Sequence, residues 1–116
     1  MAASKNPHAR LLHIRDGIDG VAAIINGLSL SQYRGSYLHR RAVEQAAQIV
    51  SEAASALPTE LLVRYGEAPW KSIIGIGNVL RHEYQRLDDR QLWEIATVHL
   101  PALGPIVRRM IAELQG

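Results

Sequence analysis

Asn78, Arg81, His82 and Tyr84 stand close together in the run GIGNVLRHEY, residues 75–84. Histidine transfers protons near neutral pH, arginine grips a phosphate through two parallel hydrogen bonds, and asparagine orients either one. With a tyrosine hydroxyl beside them, these types suit the handling of a phosphate ester. At about 100° per residue, Asn78 and His82 lie nearly above one another on a helix, with Arg81 and Gln85 on the adjoining side and Tyr84 at the border of the apolar face. An ordinary solvated helix face carrying one histidine has the same pattern, and residue types alone leave both readings open.

Such a strip needs a helix beneath it, although each glycine in the run costs roughly 1 kcal/mol relative to alanine. The spacing predicts that helix over about 70–87, with Ile73, Ile76, Leu80, Tyr84 and Leu87 buried and Gly75 at a helix–helix contact. Upstream, Ile14, Ile18, Val21, Ile25 and Leu28 form one stripe of a first helix over about 10–28, which NGLSLSQYRGS then interrupts. A second helix runs from about 37 to 57 along Val43, Ala46, Val50, Ala53 and Leu57, and its alanines imply close packing. Pro58 closes it, and a short helical turn follows that ends at Gly66. Asp88 or Asp89 caps a fourth helix beginning near Gln91, which Pro101 and Pro105 kink or divide. No stretch reads as a strand. The expected fold is all-α, an up-and-down four-helix bundle with short extra helical segments. Residues 1–116 read as a single domain whose first eight residues are a flexible tail.

Hydrophobic residues make up 47% of the chain and charged ones 21%, which marks a globular protein rather than a disordered one. A formal charge of +2 does not by itself announce a nucleic-acid binder, so any basic surface must be local. With no cysteine there is no disulfide scaffold, thiolate metal site or thiol catalysis, and the composition fits a reducing cytoplasm. No apolar run has the length of a membrane span or a signal-peptide core. The expectation is a cytoplasmic protein without a membrane segment.

Two tempting motifs fail. HEYQR opens like a zinc-protease helix but lacks the second histidine four residues on, and no metal or cofactor is expected. GIGNVL lacks the preceding strand and third glycine of a phosphate-binding loop.

APWKSIIGIGNVLRHEYQRLD, preceded by AVEQAAQIVSEA and followed by LWEIATVHLPAL, resembles the HepT-like branch of the HEPN superfamily over nearly the whole chain. Pro69-Trp70, Asn78, His82-Glu83-Tyr84, Trp93 and Leu100-Pro101 carry the likeness. The resemblance implies a helical homodimer and a metal-independent endoribonuclease. It further implies the toxin of a type VII-like toxin–antitoxin pair, silenced when a MntA-type nucleotidyltransferase adenylylates a tyrosine. The family signature is an arginine, four residues, a histidine, one residue and a tyrosine. His82 and Tyr84 take the last two places, as catalytic histidine and modified tyrosine, but Gly77 stands where the arginine belongs. Helical side chains lean toward the N-terminus, so Arg81 is expected to reach back over the space at Gly77 and supply the missing cation, with Asn78 orienting His82 or contacting phosphate.

The resemblance leaves an alternative, a catalytically silent HEPN subunit that binds nucleotide or a nucleotidyltransferase partner. Arg40 and Arg41, beside His39, form either a rim for RNA or partner, or ordinary surface charge at a helix start where the dipole disfavours cations. Glu52 resembles a family glutamate in GEA, with Ser51 in place of the glycine; it is a candidate contact for RNA or partner, a pairing partner for Arg81 or an arginine of the second helix, or a solvated carboxylate. Arg108-Arg109 reads as a solvated face.

Overall fold

Side-chain caps set most of the helix starts. The Asn6 side chain accepts hydrogen bonds from the N–H groups of His8 and Ala9, and Pro7 follows as the first helical residue. Ser29 and Gln32 form a reciprocal capping box, as do Asp88 and Gln91, while Ser36 caps through the His39 N–H. The computed structural model describes residues 6–82 and 88–115, and among them every regular element is helical. In chain order these are α1 (Pro7–Ile25), α2 (Leu30–Arg34), α3 (Tyr37–Ser55), α4 (Thr59–Arg64), α5 (Trp70–His82), α6 (Asp89–Glu94), a π-helical turn (Ile95–His99) and α7 (Leu100–Gln115). The all-α expectation is met.

Several boundaries differ from the sequence reading, and α1 ends at Ile25 rather than near residue 28. α1 begins at Pro7, two residues inside the stretch read as a tail. The polar break after α1 holds a helix of its own, α2, opened by a Ser29–Gln32 capping box that the sequence reading passed over. The interruption expected at the prolines lies just before them. Pro101 has no N–H to donate and its ring crowds the carbonyl of Thr97, and the wider turn over Ile95–His99 makes room for it. The Leu100 N–H accordingly reaches the Ile95 carbonyl, and Pro105 lies within α7.

α1 packs against α3 and α7, and α3 packs in turn against α5. Leu11, Ile14, Ile18 and Val21 bury the inner stripe of α1, each such side chain worth about 1.5–3 kcal/mol when fully buried. α3 turns in Val43, Ala47, Val50 and Ala54, leaving Ala46 half-buried. A Cβ on Gly17 would stand 2.5 Å from Val50 Cγ2, so the absence of a side chain there is what lets α1 lie so close to α3.

Tyr33 joins α2 to this core. It is fully buried, with its ring 5.3 Å from that of Trp93 at a 41° tilt, and its hydroxyl has no hydrogen-bond partner among the described residues. Burial, reinforced by the carboxylates of Asp89 and Glu44 and opposed by Arg40, pushes its pKa from 10.0 up to about 12. A pKa raised on folding leaves stability intact below pH 10 and erodes it as the unfolded tyrosine ionises ahead of the folded one. Folding stability should therefore fall between about pH 10 and 12. Tyr33→Phe should flatten that fall in alkaline thermal melts. At neutral pH it should hold or raise the Tm, since it removes a buried hydroxyl with no partner among the described residues.

Candidate active site

α5 is anchored at its start by Trp70, which is buried and donates from its indole Nε1 to the Tyr65 carbonyl at 3.0 Å. Its inward face comprises Trp70, Ile73 and Gly77. Ile76 and Leu80, expected to be buried, are only partly so, and Tyr84 and Leu87 lie outside the described residues. The helix is therefore rotated relative to the stripe expected from its large apolar residues, and Gly77 lies at the centre of the contact.

The reason lies in α3. Ser51 is the one buried polar residue among those described, and its Oγ accepts from the Gly77 N–H at 2.9 Å and donates to the Ile74 carbonyl at 2.8 Å. A Cβ on Gly77 would stand 2.4 Å from Ser51 Oγ and 2.9 Å from Ser51 Cβ. A Cβ on Gly75, the glycine expected at the helix contact, would meet no neighbouring atom within 4 Å. Gly77 makes that contact instead.

The same position explains where Arg81 goes. Its Nη1 lies 3.3 Å from the place a Cβ on Gly77 would occupy and 3.6 Å from Glu52 Oε2. The guanidinium thus lies one turn back along α5, beside α3. The space at Gly77 is not empty, however: Ser51 fills its inner part and Arg81 covers the rest. Asn78, Arg81 and His82 are all exposed and share the outward side of α5. Tyr84 lies outside the described residues.

Arg40 and Arg41 stand apart from this group. They lie near the start of α3, eleven or twelve residues before Glu52, roughly 17 Å along the helix axis. Arg40 Nη1 donates to the Arg34 carbonyl and its Nε lies 3.9 Å from Asp89 Oδ1, while Arg41 Nη1 donates to Glu44 Oε1 at 3.0 Å. Between them and α5 lies a cavity of about 320 Å³ lined by Arg41, Glu44, Gln45, Gln48 and Leu80. Arg108 and Arg109 are exposed and bridge to Asp19 and Glu67 respectively. Among the described residues no three His, Cys, Asp or Glu side chains converge as a metal site would require, and no helix is long and apolar enough to cross a membrane.

Residues 14–110 match the family described as Ribonuclease HepT-like. The chain belongs to the HepT-like ribonuclease family. Relatives of this HepT-like chain include "Putative RNase TTE0752" of Caldanaerobacter subterraneus subsp. tengcongensis, 28% identical over 92% of this chain and 96% of the relative. "Putative RNase MJ1380" of Methanocaldococcus jannaschii is 24% identical over 87% and 93% of the two chains. "Probable ribonuclease HepT" of Thermococcus cleftensis is 31% identical over 53% and 56%. No solved structure matches the HepT-like chain.

Sequence reasoning placed Asn78, Arg81 and His82 on one side of a helix but gave no structural role to Ser51, which stands where the resemblance puts a glycine before Glu52. If the Ser51–Gly77 approach sets the α3–α5 spacing, Gly77→Ala should cost about 1–3 kcal/mol in urea unfolding. Ser51→Gly should relieve part of that cost in the double variant. Effects that add to within about 0.5 kcal/mol would show the two positions to be uncoupled.

Proposed function

We propose that this HepT-like chain is a metal-independent endoribonuclease that acts on RNA as a homodimer in the cytoplasm. The reading rests on one observation: Arg81 folds back over Gly77, so that a guanidinium lies beside the face carrying Asn78 and His82 even though the signature arginine is absent. His82 takes the proton from the ribose 2′-hydroxyl, the 2′-oxygen attacks phosphorus, and the bond to the 5′-oxygen breaks as that oxygen takes a proton. The products are a 2′,3′-cyclic phosphate and a free 5′-hydroxyl. Arg81 neutralises charge on the non-bridging oxygens, and Asn78 orients His82 or holds the phosphate.

One histidine does not readily serve as base and acid in a single turnover. A two-fold dimer that brings two copies of His82 to one cleft supplies both without further residues. Glu52 holds Arg81 in place before substrate arrives. Both side chains are about half exposed, so their ion pair is worth at most about 1 kcal/mol and yields readily to a phosphate.

In the cell the chain would be the toxin of a type VII-like toxin–antitoxin pair. A MntA-type nucleotidyltransferase would silence it by transferring an adenylyl group to Tyr84. A second reading, a catalytically silent subunit that binds nucleotide or such a nucleotidyltransferase, is favoured by Gly77 in the signature position and by the carboxylate already beside Arg81.

His82→Ala should abolish RNA cleavage while keeping the helical circular-dichroism spectrum. Arg81→Ala should lower kcat about 10²–10³-fold, the scale for losing one preorganised charge-stabilising group. Cleavage should persist in EDTA. Undiminished cleavage by either variant would remove that residue from the reaction, and wild type that binds the nucleotidyltransferase but leaves RNA intact would establish the silent subunit. Coexpression with the nucleotidyltransferase should add adenylyl mass to the wild type and none to Tyr84→Phe.

A further inference from the structure

Tyr37 opens α3 and is 69% exposed, so its ring takes little part in the core. It is nonetheless held. Arg40 Cζ lies 5.8 Å and Arg41 Cζ 5.9 Å from the ring centroid, within the range of cation–π attraction. Each guanidinium is tied elsewhere in turn, Arg40 to the Arg34 carbonyl and Arg41 to Glu44. The result is an aromatic ring steadied by two cations and still open to solvent. One turn further along α3 begins the cavity of about 320 Å³, a volume within the roughly 300–1,000 Å³ of ligand clefts. Arg41 belongs to both features, and at the far side the cavity meets Leu80, the immediate neighbour of Arg81.

We infer that Tyr37 is a stacking platform for a base of single-stranded RNA, and that the strand runs from it through the Arg41–Gln45–Gln48 cavity toward Arg81 and His82. Unpaired bases are recognised by stacking on aromatic rings and guanidinium planes and by hydrogen bonds to their edges. Tyr37, Arg40 and Arg41 supply the first, and the side-chain amides of Gln45 and Gln48, each both donor and acceptor, supply the second. The lining favours nucleic acid over a protein segment, because Leu80 is the one apolar residue in it. Arg41 is more than half exposed and its i,i+3 pairing with the more covered Glu44 is worth at most about 1 kcal/mol, so its guanidinium can turn from that carboxylate to a backbone phosphate. The inference deepens the ribonuclease reading and rests on it. Tyr37 acts in binding and orientation, at a distance from the reacting phosphate.

The test is fluorescence anisotropy of the full-length chain with a labelled single-stranded 2′-fluoro RNA, which lacks the attacking hydroxyl, over a series of salt concentrations. Tyr37→Ala should weaken binding about tenfold at every salt concentration, and Tyr37→Trp should not. The loss should vanish for an oligonucleotide of the same length without bases. Arg41→Gln should instead make the salt dependence shallower, by about 0.7 in the logarithmic slope for one lost phosphate contact. Tyr37→Ala binding like wild type, or weakened equally for the base-free strand, would overturn the stacking role while wild-type cleavage left the ribonuclease reading standing. A shift of Tyr37→Ala to a smaller species in sedimentation, with RNA affinity per folded chain unchanged, would assign the ring to a protein contact and overturn it as well. Wild type that neither binds nor cleaves RNA would overturn both.

Discussion

One hydroxyl group governs how α5 sits. Ser51 is buried in α3, where an unsatisfied hydroxyl would cost about 1–3 kcal/mol. It meets that demand with two backbone groups of the neighbouring helix, the Gly77 N–H and the Ile74 carbonyl. Such an arrangement requires the two backbones to come close, and only a residue without a Cβ permits it at position 77. The contact therefore fixes both the spacing of α3 and α5 and the rotation of α5 about its own axis.

Rotation decides which residues face water. With Trp70, Ile73 and Gly77 turned inward, Asn78, Arg81 and His82 turn outward together. The side chain of Arg81 then follows the direction every helical side chain takes, back toward the N-terminus, and reaches the flank of α3 where Glu52 lies. Glycine at 77 thus acts twice, admitting Ser51 on one side and leaving the backbone low enough for a guanidinium on the other. An arginine at 77 would collide with Ser51 unless the helices moved apart. The missing side chain at position 77 and the close packing of the two helices are a single structural fact.

The remaining elements hold this pair in place. α1 supports α3 from behind and is itself clasped by α7, with Arg108 donating to both carboxylate oxygens of Asp19 across the surface. The π-helical turn before Pro101 keeps Leu92, Ile95, Ala96, Leu100 and Leu103 directed at the core despite a proline in the first turn of α7. Tyr65 donates to Glu113 of α7 and lies under the guanidinium of Arg109, so the segment leading into α5 is tied to the far helix. These contacts are scaffolding. The exposed chemistry gathers on α5 and along the open side of α3.

The all-α class, the long helical stretches, the Asp88 cap and most inner stripes were legible because they follow from local chemistry. Asp88 announces a helix start and regularly spaced Ile and Val residues direct α1 and α3 inward, whereas the caps at Asn6, Ser29 and Ser36 went unread. The common side of Asn78, Arg81 and His82 was legible for the same reason, since helical geometry places residues three and four apart together. The facing of α5 was not legible. Glycine carries no hydrophobic signal, so the stripe was read through Ile76 and Leu80, and Gly75 was taken for the contact that Gly77 makes. Nor did the sequence show that Arg41 would link a tyrosine to a cavity ending beside Arg81. By itself the sequence determined the helices and the residue types displayed on each. Only the tertiary structure decided which glycine carries the contact and where Arg81 rests, because both depend on Ser51, which meets α5 across 23 and 26 residues of chain.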